Sequence, residues 1–139
     1  MTDFEQGYFK EFGFTSDAIE RYLQNAFHDL EIARKNRFPE VRFSYSFQAL
    51  IKAGIALIAR VGHVRVRSVP GHHIKILTKM SEILENPDVY TIGNIMRTKR
   101  NTDFYEGGDC VTEKESRDYL DFVEKVLQQV EKLVREVNP

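Results

Sequence analysis

The chain has 139 residues, of which 42% are hydrophobic and 29% charged, and its 20 Lys and Arg against 21 Asp and Glu give a net charge of −1. A chain of this length is typical of one domain that buries about two-thirds of the surface of its unfolded form. No apolar run approaches the ~18 residues of a membrane span, and the N-terminal residues lack the basic start and apolar run of a signal peptide. We therefore expect a cytoplasmic protein with no membrane partner.

The chain contains a single cysteine, Cys110, which excludes an internal disulfide and a cysteine-based zinc site.

Charge is unevenly distributed along the chain. Residues 41–81 contain seven basic residues and no acidic one, whereas the rest of the chain carries 13 basic and 21 acidic side chains. This pattern has two interpretations: a basic surface for a polyanion, or charge segregation without a functional role.

The N-terminal half predicts two long helices. Apolar residues at three- and four-residue steps predict the first helix over Asp17–Asn36, after the helix-starting residues Thr15 and Ser16. A second helix follows Pro39 and extends to Val61, with large apolar residues on one face and small ones on another. Because small residues allow a neighbouring helix to come close, we expect this helix to be central. Residues 1–14, rich in Phe, are expected to pack across the bundle as a short helix.

The middle of the chain predicts two shorter helices. Residues 62–71 alternate Val and Arg as a strand does, but no second strand is evident to pair with them, so we predict a loop. A third helix is predicted over His72–Leu84. A fourth, carrying Val89, Ile92 and Met96, begins at Asn86-Pro87 and gives way to a polar turn over residues 101–109.

The last helix has the strongest signal. Thr112 and Glu115 form a capping box at its start, and an apolar stripe then runs to Val137. The sequence therefore predicts an all-α fold, a compact up-and-down bundle of about five helices over residues 15–137 within a single domain of residues 1–139.

Several functional classes can be set aside. No histidine has the upstream glutamate of a di-iron bundle, and no glycine-rich phosphate loop is present. His72 and His73 are adjacent, and adjacent helical residues diverge by about 100°, so the pair is unsuited to one metal ion. We expect no metal and no cofactor. As a DNA-recognition helix, the third helix offers only Lys75 and Lys79, without the side chains that read base edges.

A polar segment at the end of the fourth helix is the candidate site. Arg100 follows Met96 by one helical turn, which directs its guanidinium towards packed neighbours. Beside Asn101 and Tyr105, it could hold a phosphate through a bidentate fork. The segment also contributes Arg97 and Asp103. The alternative is structural: Arg100 caps the last carbonyls of the helix and pairs with Asp103.

The order of these elements resembles the HEPN family (higher eukaryotes and prokaryotes nucleotide-binding domain). The resemblance covers about Thr15 to Val137 and includes Gly71-His72-His73 before the third helix and Arg100-Asn101 before a long final helix. Many members carry an arginine followed, after four to six residues, by a histidine. The resemblance implies a helical homodimer, metal-independent endoribonuclease activity, and a small nucleotidyltransferase as partner in a toxin–antitoxin pair.

The sequence departs from this motif at the histidine. Tyr105 occupies that position, and no histidine follows it in the chain. A tyrosine side chain, with a pKa of about 10, is protonated at pH 7. Loss of a histidine that acts as the general acid or base lowers the reaction rate by roughly 10²- to 10⁴-fold. The resemblance also implies that Tyr105 is a target for nucleotide transfer by the partner enzyme.

Three hypotheses follow. The first is a HEPN-like dimer that binds RNA or a nucleotide through Arg97, Arg100, Asn101, Asp103 and Tyr105, with ribonuclease activity weakened or absent. The second is an active endoribonuclease toxin in which His72 or His73 joins Arg100 and Tyr105 as catalytic residues. The third is a non-enzymatic partner of a nucleotidyltransferase, which uses the apolar stripe of the last helix or the small-residue face of the second as an interface.

Overall fold

Helices form most of the chain. The computed structural model describes residues 3–105 and 111–136, and for residues 102–105 the backbone alone. Within these ranges the elements are, in order, β1 (Phe9–Glu11), α1 (Ser16–Lys35), α2 (Pro39–Gly62), β2 (Val64–Val66), α3 (His72–Leu84), α4 (Pro87–Tyr105) and α5 (Glu113–Glu136). The predicted all-α bundle of five helices is confirmed.

The helices begin where local capping groups place them. The hydroxyl of Thr15 accepts a hydrogen bond from the Ala18 amide at 3.1 Å at the start of α1. At the start of α5, the Glu115 amide donates to the Thr112 hydroxyl at 3.0 Å and the Thr112 amide donates back to the Glu115 carboxylate at 3.1 Å. These contacts satisfy amides that have no partner within the helix, so the predicted capping box is confirmed.

Helix α2 lies at the centre of the bundle. It contacts each of the other four described helices and also β2. Phe43, Phe47, Leu50, Leu57 and Ile58 are at most 1% exposed, and Ala49, Ala53 and Ala56 on its small-residue face are fully buried. A Cβ added to Gly54 would lie 2.5 Å from Ile76 Cγ2 of α3, so α3 packs directly against the α2 backbone. The predicted central position of α2 is confirmed.

The apolar stripe of α5 is also covered inside the chain. Its members Val123, Val126, Leu127 and Val130 are at most 1% exposed, and α5 packs on α2 and α1. Val137, the predicted end of the stripe, lies outside the described residues. The two surfaces that the third hypothesis uses as interfaces are therefore buried within this one chain.

Two predictions for the N-terminal part are wrong. Residues 62–71 are not all loop, and the described residues 3–14 do not form a helix, because β2 and β1 pair as an antiparallel ribbon with Phe9 opposite Val66 and Glu11 opposite Val64. Phe9 and Val64 turn their side chains into the core. The strands have three residues each, too few to give a periodic signal, and the partner of β2 lies beyond two helices in sequence.

Helix α4 is longer than predicted. It continues to Tyr105, so the polar turn predicted over residues 101–109 is wrong for 101–105, and residues 106–110 lie outside the description. Residues 101–105 are therefore the last residues of a helix. Because α4 continues past Arg100, that guanidinium is not at the helix end where capping of the last carbonyls was predicted. None of the helices in the described ranges combines the length and apolarity needed to cross a membrane.

The close contact of α2 with α3 predicts a large effect of Gly54→Val. The added side chain meets Ile76 and Met80, and overpacking of this kind costs about 1–3 kcal/mol. We expect urea unfolding to show a free energy of unfolding lower by about 2 kcal/mol. Gly13→Val is the matched control, since a Cβ at Gly13 meets nothing within 4 Å. Equal stability of the two variants would contradict this packing.

Candidate functional site

A cavity of about 300 Å³ opens between α2, α3 and α4. Five of its seven lining residues come from α2 and one each from α3 and α4: Phe47, Gln48, Ile51, Lys52, Ile55, His73 and Arg100. Its floor is apolar and its rim polar. The volume is at the lower end of the range for small-ligand pockets, about 300–1,000 Å³.

Arg100 reaches this cavity from α4. Met96, one turn earlier, is fully buried, and this spacing brings the half-buried Arg100 side chain to the same face of the helix. Its Cζ lies 5.6 Å from the centroid of the Phe47 ring, within the range of a cation–π contact. The predicted direction of this side chain, towards packed neighbours, is confirmed.

His73 approaches the same ring from the first turn of α3. Its ring meets Phe47 edge-on at a centroid distance of 5.7 Å, and the His72 ring lies 4.2 Å away. His72 is itself held in place, because its Nδ1 donates to the carbonyl of Val69 at 2.8 Å. One aromatic side chain of α2 therefore contacts a histidine of α3 and an arginine of α4.

The surroundings of His73 keep its imidazole neutral. Burial is the largest cause, and the positive charges of His72, Arg100 and Arg97 add to it, so that the pKa of His73 falls from 6.5 to about 4. At pH 7 the ring therefore has one nitrogen free to accept a hydrogen bond or a proton.

The other cations of α4 have different surroundings. The Arg97 guanidinium donates to Asn94 Oδ1 at 3.0 Å and to the Thr98 hydroxyl at 3.5 Å, which holds it on the surface of its own helix. Lys99 points to α5 and forms an ion pair with Glu115 at 3.6 Å. Arg97 therefore belongs to the edge of the cavity, and Lys99 links two helices.

The structure brings together four of the predicted site residues. His72, His73 and Arg100 are in or next to the cavity, and Arg97 is close enough for its charge to act on His73. Asn101 is exposed on the last part of α4. Asp103 and Tyr105 lie in the final turn of that helix, and their side chains are outside the description, as is any pairing of Asp103 with Arg100.

Sequence reasoning missed the contribution of α2. Phe47 was assigned to the core alone, and Lys52 was counted only as one of the basic residues of the middle segment. Lys52 lines the cavity while its Nζ lies 2.8 Å from Oδ2 of the buried Asp29 on α1. The central position predicted for α2 was the available signal, since a central helix contributes to every cleft around it.

The cavity favours an anion over a cation. Among the described residues that line it, two are cationic and none is acidic. In the described ranges no group of three or more His, Cys, Asp or Glu side chains is placed to hold a metal ion. A ligand that fits this arrangement carries negative charge beside a flat or apolar part.

Comparison with family models, with curated proteins and with solved structures finds no match for this chain. The HEPN resemblance therefore has only the motifs and the helix order to support it.

The surroundings of His73 predict a pH-dependent stability. Below about pH 6.5 the unfolded chain binds a proton at this residue that the folded chain binds only near pH 4. We therefore expect the free energy of unfolding to fall as the pH is lowered from 6.5 to 4, and to fall less steeply in His73→Gln, which keeps only the contribution of carboxyl groups with lowered pKa.

An NMR titration of the His73 ring tests the cause directly. Arg100→Gln removes one of the positive charges and raises the pKa of His73, whereas Arg135→Gln, an exposed change on α5, leaves it where it is. A His73 ring that titrates at or above 6.5 in the wild-type protein would contradict the site geometry.

Proposed function

We propose that this protein binds RNA or a nucleotide, with a phosphate held in the cavity between α2, α3 and α4. The observation that carries the proposal is the convergence of His73 and Arg100, from different helices, on Phe47 in a cavity lined by cations and apolar side chains.

Electrostatics support a phosphate as the ligand group. The Arg100 guanidinium has five donors and, within the described part of the chain, no acidic partner competes for them. Helix α3 begins at His72 after Gly71, which provides no capping side chain, so the positive end of its dipole adds to the local potential. A phosphate bound here would offset both of these positive contributions.

The apolar floor supports a nucleotide over inorganic phosphate. Ile51 and Ile55 line the cavity beside the cationic groups, together with the buried Phe47, which suits a base or ribose next to its phosphate. The HEPN resemblance implies the same ligand class through Arg100 and Asn101. Lys52, held by Asp29, supplies a further donor at the rim.

Arg100→Ala tests the site. The variant loses a charge-assisted hydrogen bond worth about 1.5–3 kcal/mol, so we expect its Kd for a labelled RNA oligonucleotide to rise roughly 10- to 100-fold. The Kd of Arg100→Lys is expected to lie between those of Arg100→Ala and the wild type, because the lysine ammonium keeps the charge but lacks the bidentate fork.

Arg135→Ala is the matched control for this experiment. It removes an exposed arginine that pairs with Glu20 of α1, and neither residue lines the cavity. Equal RNA binding by wild type and Arg100→Ala, with Arg135→Ala unchanged, would overturn the assignment of the site.

Metal-independent RNA cleavage is a second candidate function, and the neutral His73 ring favours it. As a base, His73 would take the proton of a ribose 2′ hydroxyl. The 2′ oxygen would then form a bond to the adjacent phosphorus, the bond to the 5′ oxygen would break, and that oxygen would take a proton from water. Arg100 would stabilise the charge that develops on the phosphate.

Cleavage in the presence of EDTA tests this second candidate. If His73 is the base, His73→Gln is expected to lower the cleavage rate by roughly 10²- to 10⁴-fold while RNA still binds. An RNA with a 2′-deoxy nucleotide at the cleaved position should bind and stay intact. Absence of cleavage by the wild-type protein would leave binding as the function and exclude the nuclease.

A further inference from the structure

The ribbon formed by β1 and β2 presents an unusual outward face. Its register continues beyond the strands themselves, since the Arg67 amide donates to the Tyr8 carbonyl at 2.7 Å and the Phe12 amide donates to the His63 carbonyl at 3.0 Å. Alternate residues of a strand share a face, so burial of Phe9 and Val64 turns the other set outwards. The outward rungs are Tyr8 with Arg67, Lys10 with Arg65, and Phe12 with His63.

This outward face is cationic and aromatic. Lys10 and Arg65 lie directly opposite each other, an arrangement of like charges that destabilises a strand pair. Arg67 follows two residues later, about 7 Å along the strand. None of the six side chains on these rungs is acidic, and no ion pair is found for Lys10, Arg65 or Arg67 within the described part of the chain.

An exposed aromatic ring accompanies these cations. Phe12 is 43% exposed, and the Arg65 guanidinium carbon lies 5.5 Å from its ring centroid. Cations that track a backbone, combined with rings on which bases stack, are what single-stranded nucleic acid binding requires. A membrane surface would need a much wider apolar face than one ring provides.

The ribbon leads directly into the candidate cavity. Residues 67–71 connect β2 to the first turn of α3, and the Val69 carbonyl accepts the hydrogen bond from His72. Val66 and His72 are six positions apart in the chain, so they are at most about 22 Å apart, and one short polymer can reach both the ribbon and the paired histidines. A mononucleotide fills only the cavity.

We propose that the outward face of the ribbon is a second binding surface for single-stranded RNA, which extends the path of the polymer from the Arg100 cavity along Lys10, Phe12, Arg65 and Arg67. This inference rests on the proposed function in one respect: the RNA strand that binds the ribbon is the same strand whose phosphate occupies the cavity. It narrows the ligand class from a nucleotide to a polynucleotide.

Fluorescence anisotropy with labelled oligouridylates of about 4 and about 16 nucleotides, the range of site sizes in single-strand binders, tests the inference. We expect the longer RNA to bind more tightly to the wild type. The double variant Lys10→Gln/Arg65→Gln should bind the longer RNA more weakly and the shorter RNA as the wild type does. For the longer RNA, the slope of log K against log[salt] should fall by about 1.4, which is about 0.7 for each of the two lost phosphate contacts. Phe12→Ala should weaken it about fivefold or more without changing that slope.

The turn between α1 and α2 offers a matched control. Arg37 lies 5.2 Å from the ring centroid of Phe38, which is 51% exposed, so the chain contains a second exposed arginine–phenylalanine pair away from the ribbon. We expect Arg37→Gln and Phe38→Ala to bind both RNAs as the wild type does. Circular dichroism confirms that each variant is folded before its binding is compared.

The outcomes separate the two proposals. Equal affinities for the two lengths, or ribbon variants that bind the longer RNA like the wild type, would overturn the ribbon surface, while Arg100-dependent binding of the short RNA upholds the cavity. Ribbon-dependent binding that Arg100→Ala leaves unchanged would uphold the ribbon and overturn the cavity. The inference would also be overturned if the wild type sedimented with phosphatidylserine vesicles and the ribbon variants did not, while the variants still bound RNA as the wild type does.

Discussion

The candidate site depends on two glycines that let α3 and α4 come close to their neighbours. Gly54 brings α2 against α3, and a Cβ added to Gly93 would lie 2.6 Å from Leu77 Cδ2, so α4 packs on α3 in the same way. His73 precedes Leu77 by four residues and Arg100 follows Gly93 by seven, so both side chains lie on the faces of their helices that make these contacts. The packing therefore places the two groups on either side of Phe47.

The same close packing determines the chemistry of the cavity. It buries His73 beside positive charge, so the imidazole is neutral where an isolated histidine would be partly protonated. A bound anion would offset the charges of Arg97 and Arg100 and make protonation of His73 more favourable. If the cavity binds an anion as proposed, ligand binding and proton uptake by His73 would be coupled, and each would favour the other by the same free energy. The cavity thus combines a cationic donor, Arg100, with a neighbouring histidine whose pKa depends on the charge around it.

Features of the fold that depend on interactions between residues close in sequence could be predicted, and those that depend on distant residues could not. The starts of α1 and α5 were predicted because a cap such as Thr112 with Glu115 acts within one turn. The pairing of Lys10 with Arg65 was missed because it joins segments separated by two helices. The end of α4 was missed because its final turns are polar and leave no apolar stripe to follow. At the site, Arg100 and His73 were each predicted from their own helices, but their common contact with Phe47 follows from the packing of three helices, which periodicity does not specify.

The packing of the helices also determines how the charges behind the net value of −1 are distributed over the surface. Of the seven basic residues in the acid-free stretch 41–81, four are neutralised by acids from elsewhere: Arg42 by Glu113, Lys52 by Asp29, Lys75 by Glu5 and Lys79 by Glu82. The stretch is therefore not a continuous basic surface. The acids of α1 and α5 pair mainly with cations on those helices, which leaves Arg65 and Arg67 on the ribbon and Arg97 and Arg100 at the cavity without ion pairs in the described part of the chain. A nearly neutral protein thus keeps part of its unpaired positive charge on the ribbon and at the cavity, and a polyanion bound there would interact with that local potential and not with the net charge.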